Sequence, residues 1–174
     1  IMSVCRPGDE ILVSDNVYGP TKEISEDLIK EFNINANFYD PDNFDDLKKK
    51  ITKKTKAIMP VHLTGSADNL DKIYIIAKRY KLRVIEDAAH AFGTIYKKRK
   101  VGSFGDISCF SFDGIKNITS GEGGCIVTND KKILKRSKDI RLLGITNDSE
   151  KRYLGHRSWI SDVKYQGWRY HMSD

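Results

Sequence analysis

The run Val84-Ile85-Glu86-Asp87-Ala88-Ala89-His90 decides the fold, together with Phe110-Ser111-Phe112 and Ile115-Lys116-Asn117 further along the chain. Two ionisable side chains are prominent in these runs, because Asp87 closes one apolar segment and Lys116 follows another. We interpret the rest of the chain as a scaffold for this carboxylate and this amine.

Outside these runs, short apolar segments alternate with amphipathic ones. The apolar segments predict strands at 11–14, 35–39, 57–63, 82–85, 107–112 and 125–128. The amphipathic segments predict helices at 22–32, 44–51, 68–80 and from an Asp130 cap to about Leu143. The apolar side of the first is expected to consist of Ile24, Leu28, Ile29 and Phe32, and that of the third of Leu70, Ile73, Ile76 and Ala77. Residues 1–6 are predicted to be the tail of an apolar helix, and residues 97–100 a basic turn. Strands that alternate with helices imply an α/β fold with a mostly parallel sheet and helices on both faces.

The carboxyl ends of the predicted strands carry the candidate functional residues. Ligands of open parallel sheets bind beyond this edge, and Tyr18, Asp87 and Lys116 all fall there. Each also has a purely structural interpretation. Asp87 can cap backbone amides of the next segment, Lys116 can be an exposed lysine, and Tyr18 can be a surface tyrosine.

Composition excludes several classes of protein. The chain has 174 residues, of which 39% are hydrophobic and 31% charged, so it is long enough for one domain with a sizeable core. No apolar run approaches the roughly 20 residues of a membrane helix, and the first residues do not resemble a signal peptide. The net charge of +6 is spread over many separate lysines, which suits phosphorylated small molecules and predicts no nucleic-acid partner.

The cysteines predict neither disulfides nor a metal site. Cys5, Cys109 and Cys125 are odd in number and widely spaced. Without a secretion signal, they are expected to be reduced thiols of a cytoplasmic protein. The chain has no Cys-x-x-Cys motif and no pair of histidines at ligand spacing, so we expect no metal.

The residue types at the predicted edge match the needs of pyridoxal 5'-phosphate. A lysine desolvated near other charges becomes a nucleophilic amine that can form a Schiff base. Asp87 could face the ring nitrogen, and Ser111 could offer a hydroxyl to the phosphate. The glycines from Gly121 would let the backbone approach closely.

A series of motifs resembles the DegT/DnrJ/EryC1/StrS family of pyridoxal-phosphate-dependent sugar aminotransferases. They are, in order, Pro60-Val61-His62-Leu63-Thr64-Gly65, Val84-Ile85-Glu86-Asp87-Ala88-Ala89-His90-Ala91, Val101-Gly102-Ser103-Phe104-Gly105-Asp106, Phe110-Ser111-Phe112, Ile115-Lys116-Asn117 and Gly121-Glu122-Gly123-Gly124. The resemblance covers about residues 58–174. It implies the fold type I large domain of aspartate aminotransferase, with pyridoxal 5'-phosphate as cofactor.

The resemblance also implies a role for each matching residue. Lys116 would be the Schiff-base lysine and the catalytic proton shuttle, and Asp87 would bind the pyridinium nitrogen. His90 would lie near the phenolic oxygen of the ring, and Ser111 would bind the phosphate. Tyr18 would stack on the ring.

Two further features of the resemblance, the tail of the chain and the presence of Lys116, concern the assembly and the reaction. The segment 167–174 is similar to a family segment that reaches the cofactor of the neighbouring subunit, which would make His171 that residue and the full-length protein a homodimer. Family dehydratases replace the lysine with histidine, so Lys116 favours amino transfer. The expected substrates are an amino acid, glutamate in most relatives, and a nucleotide-linked keto-sugar.

The first third of the chain resembles a second family with the same fold and cofactor. The motifs Pro7-Gly8-Asp9, 12–21 and 38–41 are similar to cystathionine β-lyases of the Cys/Met metabolism family. We therefore divide the chain into a lyase-like portion at 1–57, a cofactor-site portion at 58–145 and a polar segment at 146–174. The join near Ala57 suggests a hybrid, an assembly artefact or a divergent gene.

Two alternative functions follow from the sequence. A carbon–sulfur lyase would release pyruvate and ammonia from a sulfur amino acid, and a non-catalytic remnant would keep the fold without the cofactor. The resemblance also implies a phosphate-binding loop before residue 1 and a small domain after Asp174. We expect the chain as given, incomplete at both ends, to be weakly active or inactive.

Overall fold

The computed structural model describes residues 1–67, 69–145 and 163–173. The chain divides into two compact units, Ile1–Asn129 and Asp130–Asp174. The first unit contains every strand of the sheet and most of the residues predicted to form the site.

A six-stranded sheet organises the first unit. Its strands are β1 Glu10–Ser14, β2 Asn35–Tyr39, β3 Thr55–Met59, β4 Arg83–Asp87, β7 Ile107–Ser111 and β8 Gly124–Thr128. Two further strands, β5 Ile95–Tyr96 and β6 Arg99–Lys100, form a separate hairpin. The strand order in the large sheet is β2-β1-β3-β4-β7-β8. The first five strands in that order are parallel, and β8 runs antiparallel to β7. The predicted α/β class with a mostly parallel sheet is confirmed.

Helices connect the strands. They are α1 Gly19–Glu23, a π-helical turn Ile24–Leu28, α2 Ile29–Glu31, α3 Phe44–Lys50, a 3-10 turn Leu63–Gly65, α4 Leu70–Tyr80 and α5 Lys131–Arg141. In the strand order, the chain moves one way along the sheet from β1 to β2 and the other way from β2 to β3 and from β3 to β4. Right-handed crossovers therefore place α1 and α2 on one face of the sheet and α3 and α4 on the other.

One apolar cluster joins the sheet to α3 and α4. Its buried members are Leu12, Tyr39, Leu47, Ile58, Ile73, Ile76, Ala77 and Val84. In the sheet register Leu12 pairs with Ile58, and Ile58 pairs with Val84. These residues therefore form a row across three strands on the face that α4 covers.

Helix α4 matches its predicted apolar face. Leu70, Ile73, Ile76 and Ala77 recur at helical spacing, and all four are buried. The predicted start at Asp68 lies outside the described residues. Asn69 has a left-handed backbone with φ of 60°, so the regular helix begins at Leu70.

The predicted helix at 22–32 differs most from the observed structure. The helix begins earlier, at Gly19, because Pro20 lies in its first turn, where a missing N–H costs nothing. A π-helical turn then widens the spiral and changes which residues face the sheet. Ile24, predicted to be buried, is 47% exposed, while Ser25 is buried and donates to the carbonyl of Thr21 at 2.7 Å.

Three shorter predictions need correction. The strand predicted at 57–63 begins at Thr55 and ends at Met59, since Pro60 cannot donate to a ladder. The basic segment 97–100 is a turn only at its first two residues, and the last two form β6. Residues 1–5 form a hydrogen-bonded turn in place of the predicted helix tail.

The second unit contains α5, which Asp130 caps as predicted. The Asp130 carboxylate accepts from the amides of Lys132 and Ile133 at 2.8 and 3.2 Å. The helix ends at Arg141, two residues before the predicted end, and Leu143 has a positive φ of 57°. Most of the segment predicted at 146–174 lies outside the described residues, and its boundary remains a prediction.

Over the part of the chain that the structure describes, no helix has the length and apolar content needed to cross a membrane. The same residues contain no group of three or more His, Cys, Asp or Glu side chains arranged to hold a metal ion. All three cysteines are free thiols.

Candidate active site

The neighbouring strands β4 and β7 bring the two decisive segments to one rim of the sheet. Asp87 is the last residue of β4 and pairs in register with Cys109 of β7. Because the two strands are parallel, the loop that carries His90 and the loop that carries Lys116 leave the sheet at the same edge. The predicted meeting of the two segments is therefore observed in the fold.

The side chains of Lys116 and His90 are in contact. The Nζ atom of Lys116 lies 3.3 Å from Nε2 of His90. An amine and an imidazole nitrogen at this distance can share a hydrogen bond, in which the tautomer of His90 decides which group donates. Asn117 ties the same two loops together, since its side-chain amide donates to the carbonyl of Phe92 at 2.8 Å.

The backbone of Asp87 is held on both sides by the loop that follows β3. The N–H of Asp87 donates to the carbonyl of Pro60, and the N–H of His62 donates to the carbonyl of Asp87, both at 2.9 Å. The Asp87 carboxylate accepts from the amide of Ala89 at 3.1 Å. A carboxylate can accept about four hydrogen bonds, so Asp87 keeps capacity for a ligand.

Aromatic side chains support the loops behind this rim. The ring of Phe92 packs edge-on against Phe110 and Phe112, with centroids 5.5 and 5.6 Å apart. Such edge-to-face packing contributes about 1 kcal/mol for each pair beyond the buried area. The loop after β4 is thereby fixed against the end of β7.

Ser111 ends β7 opposite Gly124 of β8. Its hydroxyl oxygen lies 3.4 Å from the amide of Asp113, so the loop folds back over the side chain. A Cβ atom at Gly124 would collide with the carbonyl oxygen of Phe110. The strands can pair this closely only because the turn ends in glycine.

Tyr18 lies on a different loop from Lys116 and His90. Tyr18 precedes α1 at the same rim, after β1, and is 72% exposed. Between β1 and β4 lies β3. His171 is an exposed residue of the second unit.

A buried polar cluster next to the site was not predicted. The Glu86 carboxylate, 0% exposed, lies 2.8 Å from Nε2 of His62 and accepts from the hydroxyl of Tyr74 at 2.6 Å. Burial and the adjacent carboxylate raise the pKa of Tyr74, which keeps its hydroxyl a donor. The available signal was a glutamate directly after the apolar pair Val84-Ile85, since a buried carboxylate needs partners.

Cys109 lies beside Asp87 on the same face of the sheet. Burial raises the pKa of this thiol, and the negative charge of Asp87 adds to the shift. A thiol with a raised pKa stays protonated and packs as a small apolar side chain.

The residues at this rim fit pyridoxal 5'-phosphate chemically. The cofactor needs an amine, an acidic partner for its ring nitrogen, and donors for its phosphate. Lys116, Asp87 and Ser111 supply these three groups from one edge of the sheet.

A model of one aminotransferase family matches residues 3–174. The chain belongs to the DegT/DnrJ/EryC1/StrS aminotransferase family. This confirms the family proposed from the motifs after Ala57. The match also includes the first third of the chain, so a single family accounts for sequence on both sides of the predicted join.

Relatives of the family are similar to this chain in sequence and in structure. GDP-perosamine synthase of Escherichia coli O157:H7 is 42% identical over 96% of this chain and 44% of that protein. PseC of Helicobacter pylori, an aminotransferase involved in the biosynthesis of pseudoaminic acid, has a TM-score of 0.78 at 27% identity, over 97% of this chain and 43% of that one. Spr1654 of Streptococcus pneumoniae, solved in a PLP form, has a TM-score of 0.74 at 25% identity, over 96% of this chain and 46% of that one. The chain spans less than half the length of each of these proteins.

Proposed function

We propose that this protein is a pyridoxal-phosphate-dependent aminotransferase that moves an amino group from an amino acid, glutamate, to a nucleotide-linked keto-sugar. The observation that carries the proposal is the contact of Lys116 with His90 at the edge of the sheet where β4 ends in Asp87. Membership of an aminotransferase family supports it, as do the sugar-related names of the relatives. The PLP form of Spr1654 supports the choice of cofactor.

Lys116 would hold the cofactor through its amine and later move protons at Nζ. A lysine acts as a base only when its amine is neutral and correctly placed. His90 contributes to that placement, because Nε2 lies within 3.3 Å of the amine. The bond from Asn117 to Phe92 keeps the loop of Lys116 beside the loop of His90.

Asp87 would accept a hydrogen bond from the ring nitrogen and keep that nitrogen protonated. When bound, pyridoxal phosphate supplies an electron sink for negative charge that develops on the substrate. The carboxylate would make the ring a stronger electron acceptor because it stabilises positive charge on the ring. Asp87 can hold one orientation because its backbone is bonded on both sides.

The remaining predicted residues would complete the site. Ser111 would donate to the phosphate, and the exposed ring of Tyr18 would cover one face of the cofactor. His171 would reach the cofactor of a second copy in a homodimer, which we place in the cytoplasm. The net charge of +6 suits a nucleotide-diphosphate substrate.

The colour of the loaded protein tests the proposal. Full-length protein with pyridoxal phosphate is expected to absorb in the visible, and Lys116→Ala should lose the lysine-dependent band. Lys78→Ala, an exposed position on α4, is the matched control and should keep the band. A colourless wild type would contradict the proposal.

Product analysis separates amino transfer from the lyase alternative. With glutamate and a nucleotide-linked keto-sugar, the wild type should form 2-oxoglutarate and the amino sugar. Lys116→Ala should lower this rate by about 10³-fold or more, because the proton-transfer base is lost. Pyruvate and ammonia released from cystathionine would favour a carbon–sulfur lyase instead.

A further inference from the structure

The buried cluster of Glu86, His62 and Tyr74 connects the site to the body of the sheet. Glu86 lies on β4 next to Asp87, but successive side chains of a strand point to opposite faces. Glu86 therefore faces α4, which carries Tyr74, and Asp87 points to the opposite face. His62 reaches the cluster from the loop after β3 and is 3% exposed.

Two side chains from different elements contact the Glu86 carboxyl group. A buried carboxyl group needs hydrogen-bond partners, and Glu86 has one from each of two elements. Tyr74 fixes the carboxylate to α4. His62 fixes it to the loop that borders the site.

His62 is bound to two successive residues of β4. Its side chain contacts the Glu86 carboxylate at 2.8 Å, and its backbone N–H donates to the carbonyl of Asp87 at 2.9 Å. The carbonyl of Pro60, two residues earlier, accepts from the N–H of Asp87. A shift of His62 would therefore move the backbone that carries the Asp87 carboxylate.

The same loop also contacts the backbone of His90. Gly65 has a φ of 86°, and a Cβ there would lie 3.0 Å from the carbonyl oxygen of His90. The hydroxyl of Thr94 donates to the carbonyl of Gly65 at 2.9 Å. The loop 60–65 thus sets the backbone of both His90 and Asp87.

We propose that His62 is a positioning residue, which acts through Glu86 to hold the loop 60–65 and thereby places Asp87 and His90 for the cofactor. The ligand-related part of this inference rests on the proposed function. The positioning itself is a property of the protein without cofactor and can be measured separately.

The test compares three variants of the full-length protein. His62→Leu removes the donor to Glu86, His62→Gln keeps an N–H donor on a side chain of similar reach, and Tyr74→Phe removes the other donor. Two quantities are measured: the dissociation constant for pyridoxal phosphate, and hydrogen exchange of the Asp87 amide without cofactor.

His62→Leu is expected to weaken cofactor binding and to speed exchange at Asp87, each by about tenfold, the loss typical of a buried polar group that loses one hydrogen-bond partner. His62→Gln should restore both values to within about threefold, since its amide can donate to the carboxylate. Tyr74→Phe should lower stability while leaving both values close to wild type, because Tyr74 does not bond to the loop.

Either of two results would overturn the proposal. One is unchanged exchange and affinity in His62→Leu, and the other is an equal loss in Tyr74→Phe, which would make the cluster a general source of stability. If His62→Leu does not fold, His62→Asn takes its place with the same expectation, because the shorter side chain stays polar but does not reach Glu86. A wild type that fails to bind pyridoxal phosphate would contradict the proposed function, while exchange at Asp87 would still test the positioning.

Discussion

The two rims of the β4–β7 pair use similar charged groups in different ways. At the amino rim, Asp106 accepts from Nε of Arg83 at 2.9 and 3.0 Å and from the amide of Val84 at 2.6 Å. At the carboxyl rim, the described residues supply the Asp87 carboxylate with one bond, from Ala89. Asp106 thus uses its acceptor capacity in hydrogen bonds that join β7 to β4, whereas Asp87 keeps most of its own acceptor capacity.

The two carboxylates differ in the acceptor capacity that internal hydrogen bonds leave over, and under the proposed function this difference would separate stability from ligand binding. A carboxylate with full internal pairing lowers the free energy of the folded state, but it has little left for a ligand. A carboxylate held by its backbone, with a side chain that is only partly paired, contributes less to folding and stays available. The following changes test whether the two rims differ in this way, from the largest expected effect to the smallest.

Asp87→Asn should impair catalysis strongly and stability little. The amide cannot stabilise a protonated ring nitrogen as a carboxylate does, so we expect the rate of amino transfer to fall by about 10²- to 10³-fold. Single-turnover kinetics of the loaded full-length protein measure this. A rate within about threefold of wild type would show that Asp87 is structural.

Asp106→Asn is the matched change at the opposite rim. It keeps the shape of the side chain but weakens the bonds to Arg83 and Val84, so the free energy of unfolding should fall by about 1 to 3 kcal/mol. Urea denaturation at neutral pH measures the loss. Cofactor affinity should remain near wild type, and a large loss of affinity would mean that the two rims are not independent.

Asp71 provides a third and weaker case, an exposed carboxylate with partners. The hydrogen bond from Lys97 and then that from Tyr96 lower the pKa of Asp71 to about 2. An unfolded aspartate has a pKa of about 3.9. Since the folded-state pKa is the lower of the two, the contribution of Asp71 to stability is present above about pH 4 and is lost as the pH falls through about 2.

The stability gap between wild type and Asp71→Asn should therefore shrink between about pH 4 and pH 2. Urea unfolding at a series of pH values measures this gap. A gap that stays constant through this window would mean that the ion pair with Lys97 does not persist in solution.

The order of strands and helices could be predicted because periodicity is a local property. The strand at 35–39 was predicted with its observed bounds, and the buried face of α4 was predicted residue by residue. The helix at 22–32 could not be predicted in detail. Its π-helical turn depends on how the segment packs on the sheet, and no pattern in Ile24 or Ser25 signals it.

The candidate site likewise has a part that the sequence predicts and a part that it does not. The positions of Asp87 and Lys116 at one rim follow from strands that end there. The two partners of Glu86 could not be inferred, because His62 and Tyr74 come from separate elements that only the folded sheet brings together.

By itself, the sequence determined the fold class, the family and the edge at which the carboxylate and the amine would lie. These follow from local alternation and from motifs that are contiguous along the chain. Only the tertiary structure decided that the amine of Lys116 lies against His90, that Asn117 joins the two loops, and that His62 holds Glu86. Contacts between distant segments depend on strand order and register, which periodicity along the chain does not encode.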